Sequence, residues 1–314
     1  MDLAGRRGQR HNGRVSGSER IPYVPITERP PLALPGGARV VVFCVLNVEE
    51  WAFDAPIPRP IVPPPAGGPG PVPDIPNWAW HEYGMRVGFW RLKACLERHA
   101  GRAVTVALNA QVCRSYPPIV KACVDAGWEI MGHGVVQRPL TREPDEAGAI
   151  RQTIALIRES TGRAPRGWLG PGLAETPATP DLLTEAGIEY CCDWALDDQP
   201  TEIRVRQGRL VGLPYTFELN DVPLFVLKDY RPEEFVRRVR ETVAVLHGEG
   251  ATTPRVLPIG LHPYLMGTAH RIRALDEALG HLRAQPGVIF WRGGEILDWY
   301  LDQVGGRGEP GRAR

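Results

Sequence analysis

The segment 41-VVFCVLNVEEW-51 reads as an apolar strand that ends in two adjacent carboxylates, Glu49 and Glu50. Neighbouring carboxylates do not both ionise cheaply, so one is pushed toward the range useful for proton transfer. Other proton-moving or metal-holding groups also stand just past apolar runs. His133 follows 128-WEIMG-132, Asp193 and Trp194 close 188-IEYCCDW-194, and His262 follows 255-RVLPIGL-261. Asn47, Asn109 and the couple Asn220–Asp221 in 214-PYTFELND-221 add groups that hydrogen-bond a small polar ligand. Each also has an ordinary reading. Two glutamates in a loop are solvated, a histidine after a strand is satisfied by a neighbour, His-Pro shapes a turn, and an aspartate caps a helix. Joint placement, more than any single residue, argues for chemistry.

That placement depends on the elements. Short apolar runs at 39–46, 103–109, 128–132, 166–170, 188–194, 210–215, 255–261 and 287–291 alternate with helical patterns at 84–99, 117–126, 144–161, 179–186, 232–248, 269–284 and 293–303. In 84–99, Val87, Trp90, Ala94 and Cys95 are spaced to share a face. Strands alternating with amphipathic helices imply a parallel sheet covered by helices. The spacing predicts a single-domain α/β fold, a distorted β/α barrel of about seven or eight parallel strands. In such a barrel the C-terminal strand ends meet at one mouth, where active sites are built. Between Ala55 and Pro76, ten prolines and three glycines exclude regular helix or strand. This insert and the aromatic group 78-WAWHEY-83 are placed to cover that mouth.

Composition narrows the class. Thirty-seven basic and 36 acidic residues leave a net charge of +1, which gives no electrostatic case for nucleic acid or an anionic membrane. No apolar run reaches the length of a membrane span, and the first 20 residues lack a secretory apolar core. The six cysteines form no C-x-x-C pair and read as buried free thiols of a reducing cytoplasm, with Cys191 and Cys192 on opposite faces of a strand. Residues 1–38, with Arg6, Arg7, Arg10 and Arg14, read as a disordered or surface-wrapping extension; 39–303 as the barrel; 304–314 as a disordered tail. No G-x-G-x-x-G or G-x-x-x-x-G-K-[ST] follows a strand, so no dinucleotide or P-loop site is expected.

The order of these pieces, from about Arg39 to Tyr300, resembles the polysaccharide deacetylase (NodB-homology) superfamily, and within it the cofactor-independent allantoinase-like branch. The stretch 46-LNVEEW-51 looks like the first motif, 133-HGVVQ-137 like the second, 166-RGWLGPG-172 like the third, 193-DW-194 like the fourth and 261-LHP-263 like the fifth. The segments 197-DDQP-200 and 214-PYTFELND-221 resemble the allantoinase branch. The resemblance implies that Glu49 is the general base and His262 the general acid. Glu50 and His133 would be metal ligands, although Gln137 stands where the family has a second imidazole. A neutral amide does little to replace it, so the expectation is no required cofactor, or a weakly held divalent metal such as zinc. Protein hydrogen bonds then polarise the substrate carbonyl. Arg166 is a catalytic candidate for this, Asp193 would orient the catalytic imidazole, and Asn47, Asn109, Trp168, Trp194, Asn220 and Asp221 would bind substrate.

The favoured reading is hydrolysis of a carbon–nitrogen bond in a small cyclic amide or ureide, allantoin-like. The partner would be a small molecule, the compartment cytoplasmic, and the assembly a homo-oligomer by resemblance. One alternative is a deacetylase of a sugar derivative, with Asp54 or His81 as a further ligand. Another is a barrel that binds a small ligand without turnover, Gln137 being the mark of lost function.

Overall fold

The structure is a computed structural model that describes residues 17–64, 67–68 and 70–305. The expectations for residues 1–16, which include Arg6, Arg7, Arg10 and Arg14, and for 306–314 lie outside the described residues.

Nine strands form one sheet: β1 Val40–Val48, β2 Val104–Leu108, β3 Glu129–Gly132, β4 Gly167–Trp168, β5 Tyr190–Cys191, β6 Thr201–Ile203, β7 Leu210–Gly212, β8 Arg255–Leu261 and β9 Val288–Phe290. Eight follow the order β6-β7-β5-β4-β3-β2-β1-β8, and β9 pairs with β1. Every pairing is parallel except β6 with β7. This is the expected distorted barrel with eight parallel strands, plus the short antiparallel β6, which has no apolar run to announce it.

β1 is the axle of the fold, with all nine residues buried. β8 covers Val40–Leu46 along one edge, so β9 at Val40–Val42 and β2 at Cys44–Val48 share the other. Side chains alternate along β1. Val40, Val42, Cys44, Leu46 and Val48 pack toward the helices, with Phe89, Leu92 and Leu275. Val41, Phe43 and Val45 face the barrel interior, with Met131, Tyr190, Cys192 and Val256. The same alternation sends Cys191 to an outer cluster with Trp168 while Cys192 points inward.

The barrel does not close by a full ladder. On the outer edge of β8, Val256 N–H donates to Asp198 O at 2.8 Å and Gly260 N–H to Leu219 O at 3.0 Å. Between them stands Pro258, which has no N–H to leave unpaired. A cavity of about 1600 Å³ lies along this seam, lined in part by Pro258, Tyr215, Trp194 and Tyr23, and neither Glu49 nor His262 lines it.

One helix departs from its expected limits. Helix begins at Ile75, where Asp74 accepts the Asn77 N–H at 3.3 Å, and runs through a π-turn at Gly84–Gly88 into Phe89–His99. The group 78-WAWHEY-83 is therefore helical. The buried stripe is Met85, Phe89, Leu92, Cys95 and Leu96, whereas Trp90 and Ala94 are exposed; the π-turn rotates the face that spacing alone selects. The extra turn has a use. A side chain at Gly84 would run into the Tyr264 backbone, and one at Gly88 into the Pro263 carbonyl. The helix thus seats directly on the segment that follows His262. At the other terminus, helix Gly293–Gly305 continues two residues past its expected end at 303. Trp299 donates to Ala33 O at 2.7 Å and so ties residues 17–38 to the base of the barrel. No helix among the described residues is long and apolar enough to cross a membrane.

Candidate active site

Inward alternation decides which strand-end residues meet. Glu49 continues the inward row Val41–Phe43–Val45–Asn47, and His262 continues that of Val256 on the neighbouring strand. Their side chains face each other, Glu49 Oε1 to His262 Nε2 at 3.4 Å. Both are buried. The other carboxylate oxygen is fixed: Trp51 Nε1 donates to Glu49 Oε2 at 2.7 Å and Tyr264 Oη at 3.2 Å. Oε1 has no hydrogen-bond partner. At 3.4 Å its contact with His262 is an ion pair, without the alignment of a hydrogen bond.

His262 is oriented from behind. Its Nδ1 bonds Asp221 Oδ1 at 2.6 Å, and Asp221 Oδ2 accepts the backbone N–H groups of His262 and Met266 at 2.7 and 3.3 Å. Burial pulls the imidazole down, but the Asp221 charge and hydrogen bond, with Glu49 opposite, push it up to about 9. Burial pushes the Glu49 carboxyl up, yet His262 and Arg59 outweigh it and hold the group far below the usual carboxylate range. At neutral pH the two therefore stand as carboxylate and imidazolium.

His133 also turns inward. Its Nδ1 hydrogen-bonds Leu169 O, which assigns the proton to Nδ1 and leaves Nε2 as a bare acceptor without a partner. Burial lowers its pKa to about 4, so it is neutral, within the fields of Glu49, His262 and Arg59. Arg59 comes from the proline-rich insert. It donates to Tyr264 Oη at 2.5 Å and stands 3.9 Å from Glu49 Oε1. The insert is pinned there because Asn77 Oδ1 accepts the N–H groups of Ile61 and Val62 at 2.7 and 2.8 Å, and Ile57 and Ile61 pack near Trp51 and Tyr264. His81 donates from Nε2 to Glu49 O at 2.9 Å if Nε2 carries the proton, and stacks on Trp51.

Several expected roles are corrected. Glu50 points the other way along the alternation, to the helix layer beside Ser115 and Glu82, where burial and the Glu82 charge raise its pKa to about 7. Gln137 contributes its backbone N–H to Glu50 O at 3.0 Å, and its Oε1 has no partner. Among the described residues, Glu50 and His133 belong to no group of three converging metal-ligating side chains. Glu50 and His133 thus leave their strands toward opposite faces of the sheet, Glu50 to the helix layer and His133 to the barrel interior. Arg166 precedes β4 at the opposite end of the barrel and is held by Glu189 at 2.7 Å and Asp298 at 2.7 Å. Asp193 does not orient an imidazole; it points outward, accepts the Gly170 N–H at 2.6 Å and lies beside Glu175. The orienting carboxylate is Asp221, so it is not a substrate ligand.

The expected substrate-binding residues are internal braces. Asn47 donates to Tyr215 Oη at 3.1 Å and Leu261 O at 3.2 Å. Asn109 accepts the Glu50 N–H at 2.8 Å and donates to His133 O. Asn220 donates to Tyr215 Oη at 3.3 Å and accepts the Val222 N–H at 3.0 Å. Trp168 is buried on the outer face against Gly132, and Trp194 donates to Glu175 Oε2 at 3.0 Å. Sequence reasoning passes over Arg59 and Tyr264; the available signals are that Arg59 is the only basic residue in 55–76 and that Tyr264 follows 261-LHP-263.

Comparison with known proteins finds similar sequences and folds. A polysaccharide deacetylase family model matches residues 81–191, which include His133. A putative polysaccharide deacetylase of Schizosaccharomyces pombe is 26% identical over 226 residues, 66% of this chain and 70% of that protein. The crystal structure of a probable polysaccharide deacetylase from Pseudomonas aeruginosa PAO1 matches with a TM-score of 0.77 and 27% identity, covering 94% of this chain and 98% of that one. This chain is similar in sequence and in fold to polysaccharide deacetylases. The crystal structure of Puue allantoinase matches with a TM-score of 0.76 and 25% identity, covering 91% of this chain and 95% of that chain. The NodB-type distorted barrel is thus shared along nearly the whole length.

Proposed function

We propose that the chain opens the ring of a small cyclic amide or ureide by hydrolysing a carbon–nitrogen bond. The similarity to polysaccharide deacetylases and to Puue allantoinase supports a carbon–nitrogen hydrolase of the NodB superfamily. The observation that carries the finer reading is the Glu49–His262–Asp221 relay. A carboxylate with one open oxygen faces an imidazolium held by a second carboxylate. Glu49 takes a proton from water, and the water oxygen bonds the carbonyl carbon. As the carbon–nitrogen bond breaks, His262 gives its proton to the ring nitrogen. Glu49 and His262 exchange the proton back through the next water.

Burial favours a small substrate. Glu49 and His262 are both buried, and the pair lies under Arg59 and Tyr264. Glu49 Oε1 and His133 Nε2 are both acceptors without partners, and a ureide supplies N–H donors to such atoms. On this reading the partner is a small molecule, the chain assembles with copies of itself, and no metal at the mouth is required for turnover. The test is a panel of cyclic ureides, imides and N-acetylated sugars, assayed with wild type and Glu49→Gln. Turnover of a ring substrate by wild type alone supports the proposal. Turnover of acetylated sugars only, or of nothing, sinks it.

A further inference from the structure

A second constellation of ligating groups lies outside the relay, on the outer face of β5. Glu175, Cys191 and Asp193 bring a carboxylate oxygen, a sulfur and a carboxylate oxygen within 4.8 Å of one another. The remaining hydrogen-bonding capacity of each donor is already engaged. Gly170 N–H donates to Asp193 Oδ1 at 2.6 Å, and Trp194 Nε1 donates to Glu175 Oε2 at 3.0 Å. Asp193 N–H donates to Cys191 Sγ at 3.5 Å, a contact that favours a thiolate. What is left over is Asp193 Oδ2, shut off from solvent and without any hydrogen-bond partner, and Glu175 Oε1, whose contact is the Cys191 thiol at 3.3 Å. Backbone and indole N–H groups that fix one oxygen of each ligating carboxylate are the outer supports of a metal site. A cavity of about 360 Å³, lined by Glu175, Asp193, Trp194, Leu173 and Arg20 among others, borders the cluster and offers a way in.

We propose that Glu175, Cys191 and Asp193 form a binding site for a borderline-soft divalent cation of the zinc class, separate from the catalytic relay. The donor set selects the ion: a sulfur ligand favours zinc or cobalt over magnesium or calcium. The nearby cation Arg20 is committed to Asp181 through two hydrogen bonds of 3.0 and 2.6 Å. Binding releases the thiol proton, so affinity rises with pH.

The test reads the metal, and turnover plays no part in it, so it stands or falls apart from the proposed hydrolysis. The purified full chain is stripped with chelator and titrated with Co²⁺, following the near-ultraviolet thiolate-to-cobalt charge-transfer band, then with Zn²⁺ and Mg²⁺ as competitors. The expected result is one Co²⁺ per chain with that band, displaced by Zn²⁺ and not by Mg²⁺. The isosteric Asp193→Asn weakens binding by about 100-fold or more, and Cys191→Ser abolishes the band. Cys95→Ser and His133→Ala keep it. Absence of the band from folded wild type overturns the proposal, and so does a band that survives Cys191→Ser. Circular dichroism identifies a variant that fails to fold, and the wild-type titration then decides alone.

Discussion

Glu49 Oε1 and His262 Nε2 stand 3.4 Å apart on neighbouring strands, and no hydrogen bond occupies the carboxylate oxygen between them. Their surroundings hold one group ionised and the other protonated at neutral pH, the states that the proposed hydrolysis needs.

Alternation separates the two adjacent glutamates, and mutation should do the same. Glu49→Gln is expected to lower kcat by about 10²- to 10⁴-fold, the range for losing a general base. Glu50→Gln, which changes a side chain beside Ser115 and Glu82, is expected to stay within about tenfold of wild type. Steady-state kinetics of both variants decide this. Equal losses would place Glu50 in the reaction.

The pH profile follows from the relay. His262 must be protonated to act as acid, so kcat/KM is flat through neutrality and falls as pH rises through about 9. Asp221→Asn removes the charge that raises the imidazole, so this limb moves to lower pH. The sign for stability is the same. A histidine raised above its ordinary 6.5 contributes stability below that value and loses it as pH rises through about 9. Rate profiles and chemical denaturation across pH 6 to 10, as the range to scan, test both statements. An alkaline limb unmoved by Asp221→Asn would remove His262 from the acid role.

Arg59 helps hold Glu49 ionised from 3.9 Å. Arg59→Met keeps the bulk and removes the charge. The acid limb of kcat/KM is expected to shift to higher pH, with a higher KM as the cover over the site loosens. A limb that stays in place would reduce Arg59 to a packing residue.

Two glycines make a matched pair. Gly88 abuts the Pro263 carbonyl, and Gly248 in helix Pro232–Glu249 has no heavy atom within 4 Å of an added Cβ. Gly88→Ala is expected to cost about 1–3 kcal/mol by overpacking and to reduce turnover by displacing His262. Gly248→Ala is expected to add about 0.5–1 kcal/mol. Thermal melts and activity of the two variants show whether the signs are opposite.

The barrel and the mouth were legible because β/α alternation is a strong local pattern, and Glu49, His133 and His262 stand at strand ends that the pattern locates. Glu50 and Asp193 were legible too, had the two-residue period been carried past the strand: both fall on the outward row. Arg166 illustrates a different failure. Its motif straddles β4, and only the strand's boundaries tell its start from its mouth. Asp221 and Asn220 required long-range contacts across 41 and 40 positions, to His262 and Gly260, that no local spacing encodes. Arg59 lies in a segment whose prolines forbid regular structure and so leave its destination unstated.

The ladder between β1 and β8 has a consequence for how this scaffold diversifies. The proposed base, Glu49, rides on one strand and the proposed acid, His262, on the next, with Leu46 registered against Leu261. Their separation is therefore a property of a single nearest-neighbour hydrogen-bond register. The cover over them comes from elsewhere, from residues 57–61 and Tyr264. The proton pair and its cover thus sit on separable parts of the chain, and Arg59 links the two. A graft that exchanges the proline-rich insert is expected to keep the strand register while changing which molecule is admitted and, unless it retains Arg59, the ionisation of Glu49.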